Sequence, residues 1–352
     1  MDIGLKKDQL GLFSDLPIFM KASGRKVDFI DIEQAPEIDL KSYDFHIVGF
    51  SGGKDGTACV LHMIEQGIKP ELWHHDIDGR AGNVFDWPIT PAYCDAFAEA
   101  LGLQIYHSWR VGGLAGELLK ENDRTKPVRF ETPEGEGQAG GLRGAISTRR
   151  RFPALAADLR TRWCSSIAKI DVMAAAMANQ ERFKGARILV VTGERAQESS
   201  SRAKYATFEP HRCHAPGKIA QRHVDHWRPV HAWSEEQVWE IMERHKVEPH
   251  PCYQLGWGRA SCQTCIFGSK DQWASVRAIS PDRFEMLAQL EVEFGHTLRN
   301  GTTLHELADA GTPYEMDPEI VNLALSTVYD RPIINPNWTL PKGAFADSSG
   351  PT

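Results

Sequence analysis

The sequence is poor in cysteine, with seven in 352 residues. An odd number scattered from Cys59 to Cys265 excludes a disulfide-stapled fold and leaves thiol chemistry or metal ligation as their use. Nowhere does an uninterrupted apolar run approach the roughly 20 residues that cross a bilayer, and Met1 to Lys7 lack the apolar core of a signal peptide. No membrane partner is expected, and a cytoplasmic location is. Positive charge is not in excess either, since 40 Lys and Arg stand against 47 Asp and Glu for a net charge of -7. That balance excludes a protein that coats nucleic acid non-specifically. GxxxxGK[ST] does not occur, which removes the P-loop nucleotide triphosphatase, and no GxGxxG stands at the strand-to-helix turn of residues 50–57, which removes the dinucleotide fold. Internal repeats are missing as well.

What is present, 41% hydrophobic and 25% charged residues, can bury a large core in one large or two smaller domains. Apolar runs of strand length at 46–50, 71–75, 103–109 and 187–192 alternate with helical patterns at 57–67, 90–101, 113–121 and 166–182. Such alternation predicts an α/β fold, a mostly parallel sheet with helices on both faces. A proline-bounded strand is expected after Trp227, followed by a helix opened by a Ser234/Gln237 capping box. Residues 1–42 read as a polar extension, 43–232 as the sheet domain, 233–328 as a Cys-containing helical C-terminal region and 329–352 as an irregular tail. Within the sheet domain, residues 123–152, rich in glycine and charge, read as a mobile loop over the site.

The most informative stretch is Ser51-Gly52-Gly53-Lys54-Asp55-Gly56-Thr57, between a strand pattern and a helix pattern. A strand that breaks into a glycine turn and opens a helix offers backbone N–H groups and the positive helix end to an anion. Ser51 and Thr57 add hydroxyls, and Lys54 adds a mobile positive charge. The second strand ends at Asp76, an acid placed to accept from ribose hydroxyls or to help hold Mg²⁺. His74 and His75 beside it alternate across a strand and do not form a metal pair. Strand 187–192 runs into Gly193, Glu194, Arg195 and Arg202, a second glycine turn with guanidinium donors suited to phosphate or sulfate.

Cys262 and Cys265 form a CxxC chelate, Cys252 lies ten residues upstream of Cys262, and Cys164 opens a helix pattern that also carries Lys169. Four such thiolates suit a [4Fe–4S] cluster or a structural Zn²⁺, while a CxxC alone also suits a redox dithiol. Cys59 and Cys94 read as core residues, and His211, Cys213 and His214 as surface groups rather than a soft-metal site. Six arginines between Arg143 and Arg162 face one acid, Asp158, and suggest a contact with a polyanion or nucleotide.

The SGGKDGT loop resembles the SGGxD[ST] loop of the PP-loop ATP pyrophosphatases (adenine nucleotide alpha hydrolase-like), with Gly56 where a hydroxyl residue is usual. Arg162-Trp163-Cys164 to Lys169 and Gly193 to Ala203 resemble segments of the PAPS reductase-like members of that superfamily. The resemblance implies that ATP binds at Ser51 to Thr57 with Mg²⁺, that Lys54, Lys169, Arg195 and Arg202 neutralise phosphate charge around Asp55, and that an adenylated acceptor then takes up sulfur. It also tips the metal toward [4Fe–4S], with zinc the lesser alternative.

Assimilatory reductases of this family attack sulfur with a cysteine near the C-terminus, and no cysteine follows Cys265. The loop is also nearer the ATP-cleaving type, so the resemblance favours the DNA phosphorothioation ATP pyrophosphatases. It then implies a DNA backbone phosphate as acceptor and a cysteine desulfurase or other sulfur donor as partner. The alternatives are a phosphoadenosine-phosphosulfate or adenylyl-sulfate reductase and a non-enzymatic nucleotide-binding regulator. Gln9-Leu10-Gly11-Leu12-Phe13 resembles the peptide by which bacterial proteins dock on the DNA sliding clamp, which would place the chain at DNA.

Overall fold

A computed structural model of the chain describes residues 38–346, apart from 81, 157 and 300. Gln9 to Phe13 lies outside the described residues. Eight strands form one sheet: β1 Phe45–Gly49, β2 Glu71–Asp76, β3 Ile105–Arg110, β4 Val128–Thr132, β5 Gly135–Ala139, β6 Arg187–Val191, β7 Phe208–Pro210 and β8 His223–Trp227. Their order is β5-β4-β3-β2-β1-β6-β8-β7. The five central strands pair in parallel, and β4, β5 and β7 run antiparallel to their neighbours at the two edges.

Helices α1 Lys54–Glu65, α2 Thr90–Leu101 and α3 Gly113–Leu118 follow the first three parallel strands. A short turn α4 Trp163–Ser165 continues through a π turn, Ser166–Ile170, into α5 Asp171–Ala178. After the sheet come α6 Glu235–Arg244, α7 Pro251–Gln254, α8 Lys270–Ile279, α9 Pro281–Phe294, α10 Leu304–Asp309 and α11 Pro318–Leu325. Among the described residues no helix is long and apolar enough to cross a membrane.

The period-two pattern of the strands explains the layers. On β1, Ile47 joins Ile188, Val190, Val172 and Met177 in one core, while Val48 joins Leu72, Leu189, Val191 and the apolar face of α1 in another. Helices therefore cover both faces, as the alternating pattern predicts. Ser234 and Gln237 form the expected reciprocal cap of α6.

Three readings of the sequence are corrected. Residues 123–152 contain the β4–β5 hairpin, which extends the sheet edge and packs Phe130 edge-on against Gly137. Its Gly and charge content belongs to an exposed edge rather than to a structureless loop. The strand expected after Trp227 ends there instead, and residues 228–233 are turns. The helix expected over 166–182 opens as a π turn and stops at Ala178. The described residues of the tail form no helix or strand and are anchored: the Trp338 indole donates to the Val247 carbonyl at 2.7 Å, and the Gly343 N–H donates to Tyr253 O at 2.7 Å.

Candidate active site

β1 has β2 on one side and β6 on the other, so the chain order reverses at β1, and the crevice beyond the strand ends opens where the Ser51 and Gly193 turns meet. Gly52 sits at φ +72°, and a Cβ there would lie 2.9 Å from the Tyr93 ring. Gly193 allows a closer approach still, since a Cβ would lie 2.6 Å from the Asp55 carbonyl carbon. The β6 turn thus packs directly on the first turn of α1. Gly53 caps that helix without a side-chain hydrogen bond, and the Tyr253 hydroxyl accepts from the Lys54 N–H at 2.9 Å.

The resulting cleft has a volume of about 370 Å³, within the range of small-molecule sites. Ser51, Gly53, Asp55 and Gly56 form one wall, and Gly193, Glu194 and Arg202 form the second. On the third wall stand Arg162, Cys164 and Lys169, with Arg259, Cys262 and Cys265 from the glycine-containing loop after α7. The turn α4 presents Cys164 and Ser165 to the cleft, and the π turn that continues it presents Lys169.

Charge pairing sorts the cations. Arg202 pairs with Glu198, and Arg228 lies 3.4 Å from Glu194. Arg162, Lys169 and Arg259 form no carboxylate ion pair among the described residues, and Arg162 keeps two buried guanidinium nitrogens without a hydrogen-bond partner. Buried unpaired guanidinium nitrogens facing a cleft are matched by an anion with several acceptor oxygens.

Several candidate residues do other work. Lys54 is buried, donates to Gly258 O at 2.7 Å and pairs with Glu235 at 3.2 Å, so it is an internal anchor rather than a mobile charge. Arg195 is also buried and donates to Asp55 at 2.5 Å and to Gln197 at 2.7 Å. It positions Asp55 and has no face on the cleft. Burial would raise the Asp55 pKa, but Lys54 and Arg195 together hold it below the ordinary aspartate range. Asp76 is turned inward, its two oxygens accepting the N–H groups of Asp78, Gly79 and Arg80. Gly52 and the buried Thr57 shape the loop from behind.

Three of the four candidate thiol ligands, Cys164, Cys262 and Cys265, share the cleft. Cys252 does not: it is fully buried in the core, where its N–H donates to His250 Nδ1. The HPCY sequence that suggested a ligand is instead the capped start of α7. The three cleft sulfurs do not all lie within 4.8 Å of one another, whereas a tetrahedral zinc site would hold them about 3.8 Å apart. Burial pushes the Cys164 thiol up, with Cys265 adding to it, and burial does the same for Cys262.

The arginine run is likewise dispersed by the fold. Arg149 pairs with Glu117, Arg150 with Glu121 and Glu293, and Arg160 with Asp158. Only Arg162 of the run faces the cleft. Sequence reasoning passed over Tyr253 and Arg259. Their signal was the glycine-rich Gly256-Trp257-Gly258-Arg259 approach to the CxxC, which resembles a loop built for close packing. Cys59 and Cys94 are core residues, as expected.

Behind the cleft lies a small chamber of about 20 Å³ bordered by His74, His75, Asp86, Lys169 and His250. The three imidazoles are held neutral by burial, with pKa values lowered to about 4, 3 and 3. Burial, reinforced by Asp78, raises Asp86 to about 7.

Comparison with known proteins places the phosphoadenosine phosphosulfate reductase domain family on residues 148–267. That span takes in Arg162, Cys164, Lys169, the Gly193 turn and the CxxC. A protein of Escherichia phage 186 described as "Uncharacterized 37.8 kDa protein in gpa 5'region" is 32% identical over 262 residues, 70% of this chain and 74% of that one. An adenosine 5'-phosphosulfate reductase of Allochromatium vinosum is 28% identical over 102 residues, 29% of this chain and 34% of its own length.

Proposed function

This chain belongs to the PAPS reductase-like PP-loop superfamily, and from that premise we propose that it is an ATP pyrophosphatase that adenylates an acceptor oxygen for sulfur incorporation, with a DNA backbone phosphate as the acceptor. The observation that carries the reading is the joining, in one cleft, of the glycine turn that opens α1, three cations without carboxylate partners and three cysteines.

The acceptor oxygen attacks the α-phosphorus of ATP, the bond to the β-phosphate oxygen breaks, and pyrophosphate leaves. A sulfur nucleophile then displaces AMP, which carries away the acceptor oxygen, so one oxygen is exchanged for one sulfur. Charge on the phosphates is the main obstacle, and fixed donors aimed at it are the main remedy. Arg162, Lys169 and Arg259 supply them, with the N–H groups of the first turn of α1. Asp55, fixed by Arg195, is the loop carboxylate available to a Mg²⁺ ion accompanying the nucleotide. The wide set of Cys164, Cys262 and Cys265 fits a [4Fe–4S] cluster better than a single zinc ion, with Cys252 left out. Bound there, the cluster supplies iron for sulfur handling beside the activated acceptor. The sulfur itself comes from a donor such as a cysteine desulfurase.

The test is pyrophosphate release from ATP with DNA and a sulfide source. It should be lost in Arg162→Ala and Lys169→Ala while the circular dichroism spectrum stays native. No ATP turnover with any nucleic acid would sink the proposal. The similarity to an adenosine 5'-phosphosulfate reductase favours one other reading, and sulfite release from adenylyl sulfate with thioredoxin would establish it.

A further inference from the structure

At the β7 edge of the sheet, the chain between β7 and β8 folds back on itself. Ala215 and Arg222 form an isolated bridge, each N–H donating to the other's carbonyl at 3.0 and 2.9 Å. That register sets His214 opposite His223, and their rings meet edge to face with centroids 4.6 Å apart. Asp225, two residues along β8, shares the face of His223. One ligand atom from each of the three residues lies within 4.8 Å of the others, and no other group of three His, Cys, Asp or Glu among the described residues meets that spacing.

We propose that His214, His223 and Asp225 form a site for a divalent first-row transition cation such as Zn²⁺. Two imidazole nitrogens and a carboxylate oxygen suit zinc, cobalt, nickel or iron(II) and are a poor set for Mg²⁺ or Ca²⁺. The supporting contacts are those that orient metal ligands. The Tyr43 hydroxyl donates to Asp225 Oδ2 at 2.7 Å, and the Val224 backbone holds His214 Nδ1, its N–H donating to that nitrogen at 3.1 Å with its carbonyl 3.3 Å away. His223 Nε2 lies 3.2 Å from Asp225 Oδ2, and a cation replaces the proton they share. The His223 side chain is 41% exposed, so water reaches the site and completes the coordination. Neighbouring arginines are engaged elsewhere: Arg212 lies 3.6 Å from Asp171, and Arg187 lies over the Tyr43 ring at 5.1 Å. The ion would clip the 211–223 connection onto β8, the strand that leads to Arg228 and its partner Glu194.

Chelator-treated full-length protein titrated with Co²⁺ tests this apart from the cysteines, because thiolate ligation adds intense sulfur charge-transfer bands that His and Asp ligation lacks. One equivalent of Co²⁺ should give d–d bands alone, persist in Cys262→Ser/Cys265→Ser and disappear in His214→Ala/His223→Ala. Tyr43→Phe should weaken binding about tenfold. His223→Gln preserves size and polarity should the double variant misfold. Undiminished binding in His223→Gln, or only thiolate bands in the parent protein, overturns the proposal.

Discussion

Arg195 and Asp55 show how a single pair sets the site. Their side chains are 3% and 17% exposed, so removing the guanidinium leaves a largely buried carboxylate without its counter-charge. Arg195→Ala should cost about 3–5 kcal/mol of unfolding free energy, measured by urea denaturation. The glycines of the loop separate by the same reasoning. Gly193→Ala puts a Cβ 2.6 Å from backbone and should lower the melting temperature and nucleotide binding together. At Gly56 the nearest atom to a new Cβ is 3.7 Å away. Gly56→Ala should therefore fold and gain about 0.4–1 kcal/mol by restricting the unfolded chain, with the melting temperature as readout. The residue types of the site were legible in the sequence, since glycine at a strand end and arginine after it have few other uses. The partners were not: Lys54 lies 204 residues from the carbonyl it donates to, and no local pattern announces that.

Elements follow local rules closely where they are regular. β1, β2, β3, β6 and α1 to α3 lie where apolar periodicity puts them, because a strand buried on both faces and a helix buried on one leave different spacings. The π turn at Ser166–Ile170 has no such signature, yet it presents Lys169 to the cleft beside Cys164 of α4. The loop from Asp76 to Asp86 is organised by buried acids instead, with Asp78 accepting from the N–H groups of Val84, Phe85 and Asp86. Asp86 binds its proton up to about 7 in the folded chain against an ordinary value of 3.8. Over that window the folded state holds a proton that the unfolded state has released, so this contribution to stability is complete below the lower value and is lost as pH rises through the upper one. Urea midpoints should carry that downward trend, and Asp86→Asn should flatten it.

At the scale of the whole molecule, the tail closes the structure. Trp338 is 8% exposed and bonded to Val247, and Gly343 seats against Tyr253, whose hydroxyl caps α1. Trp338→Ala should cost about 3–5 kcal/mol, read as a lower denaturation midpoint. Pro, Asn and Gly made this segment look like a loose end, and composition is blind to a strap whose few anchors find their pockets only in the folded chain.

By itself the sequence determined the α/β class, the covered sheet, the glycine turn at the start of α1, the second glycine turn and the CxxC, because each depends on residue type at short spacing. Tertiary structure alone decided which charges face the cleft and which neutralise one another, that Cys252 stands apart from Cys164, Cys262 and Cys265, and that the run of arginines disperses. Those outcomes rest on contacts between residues far apart in the chain, where burial and pairing compete, and spacing along the sequence carries no record of that competition.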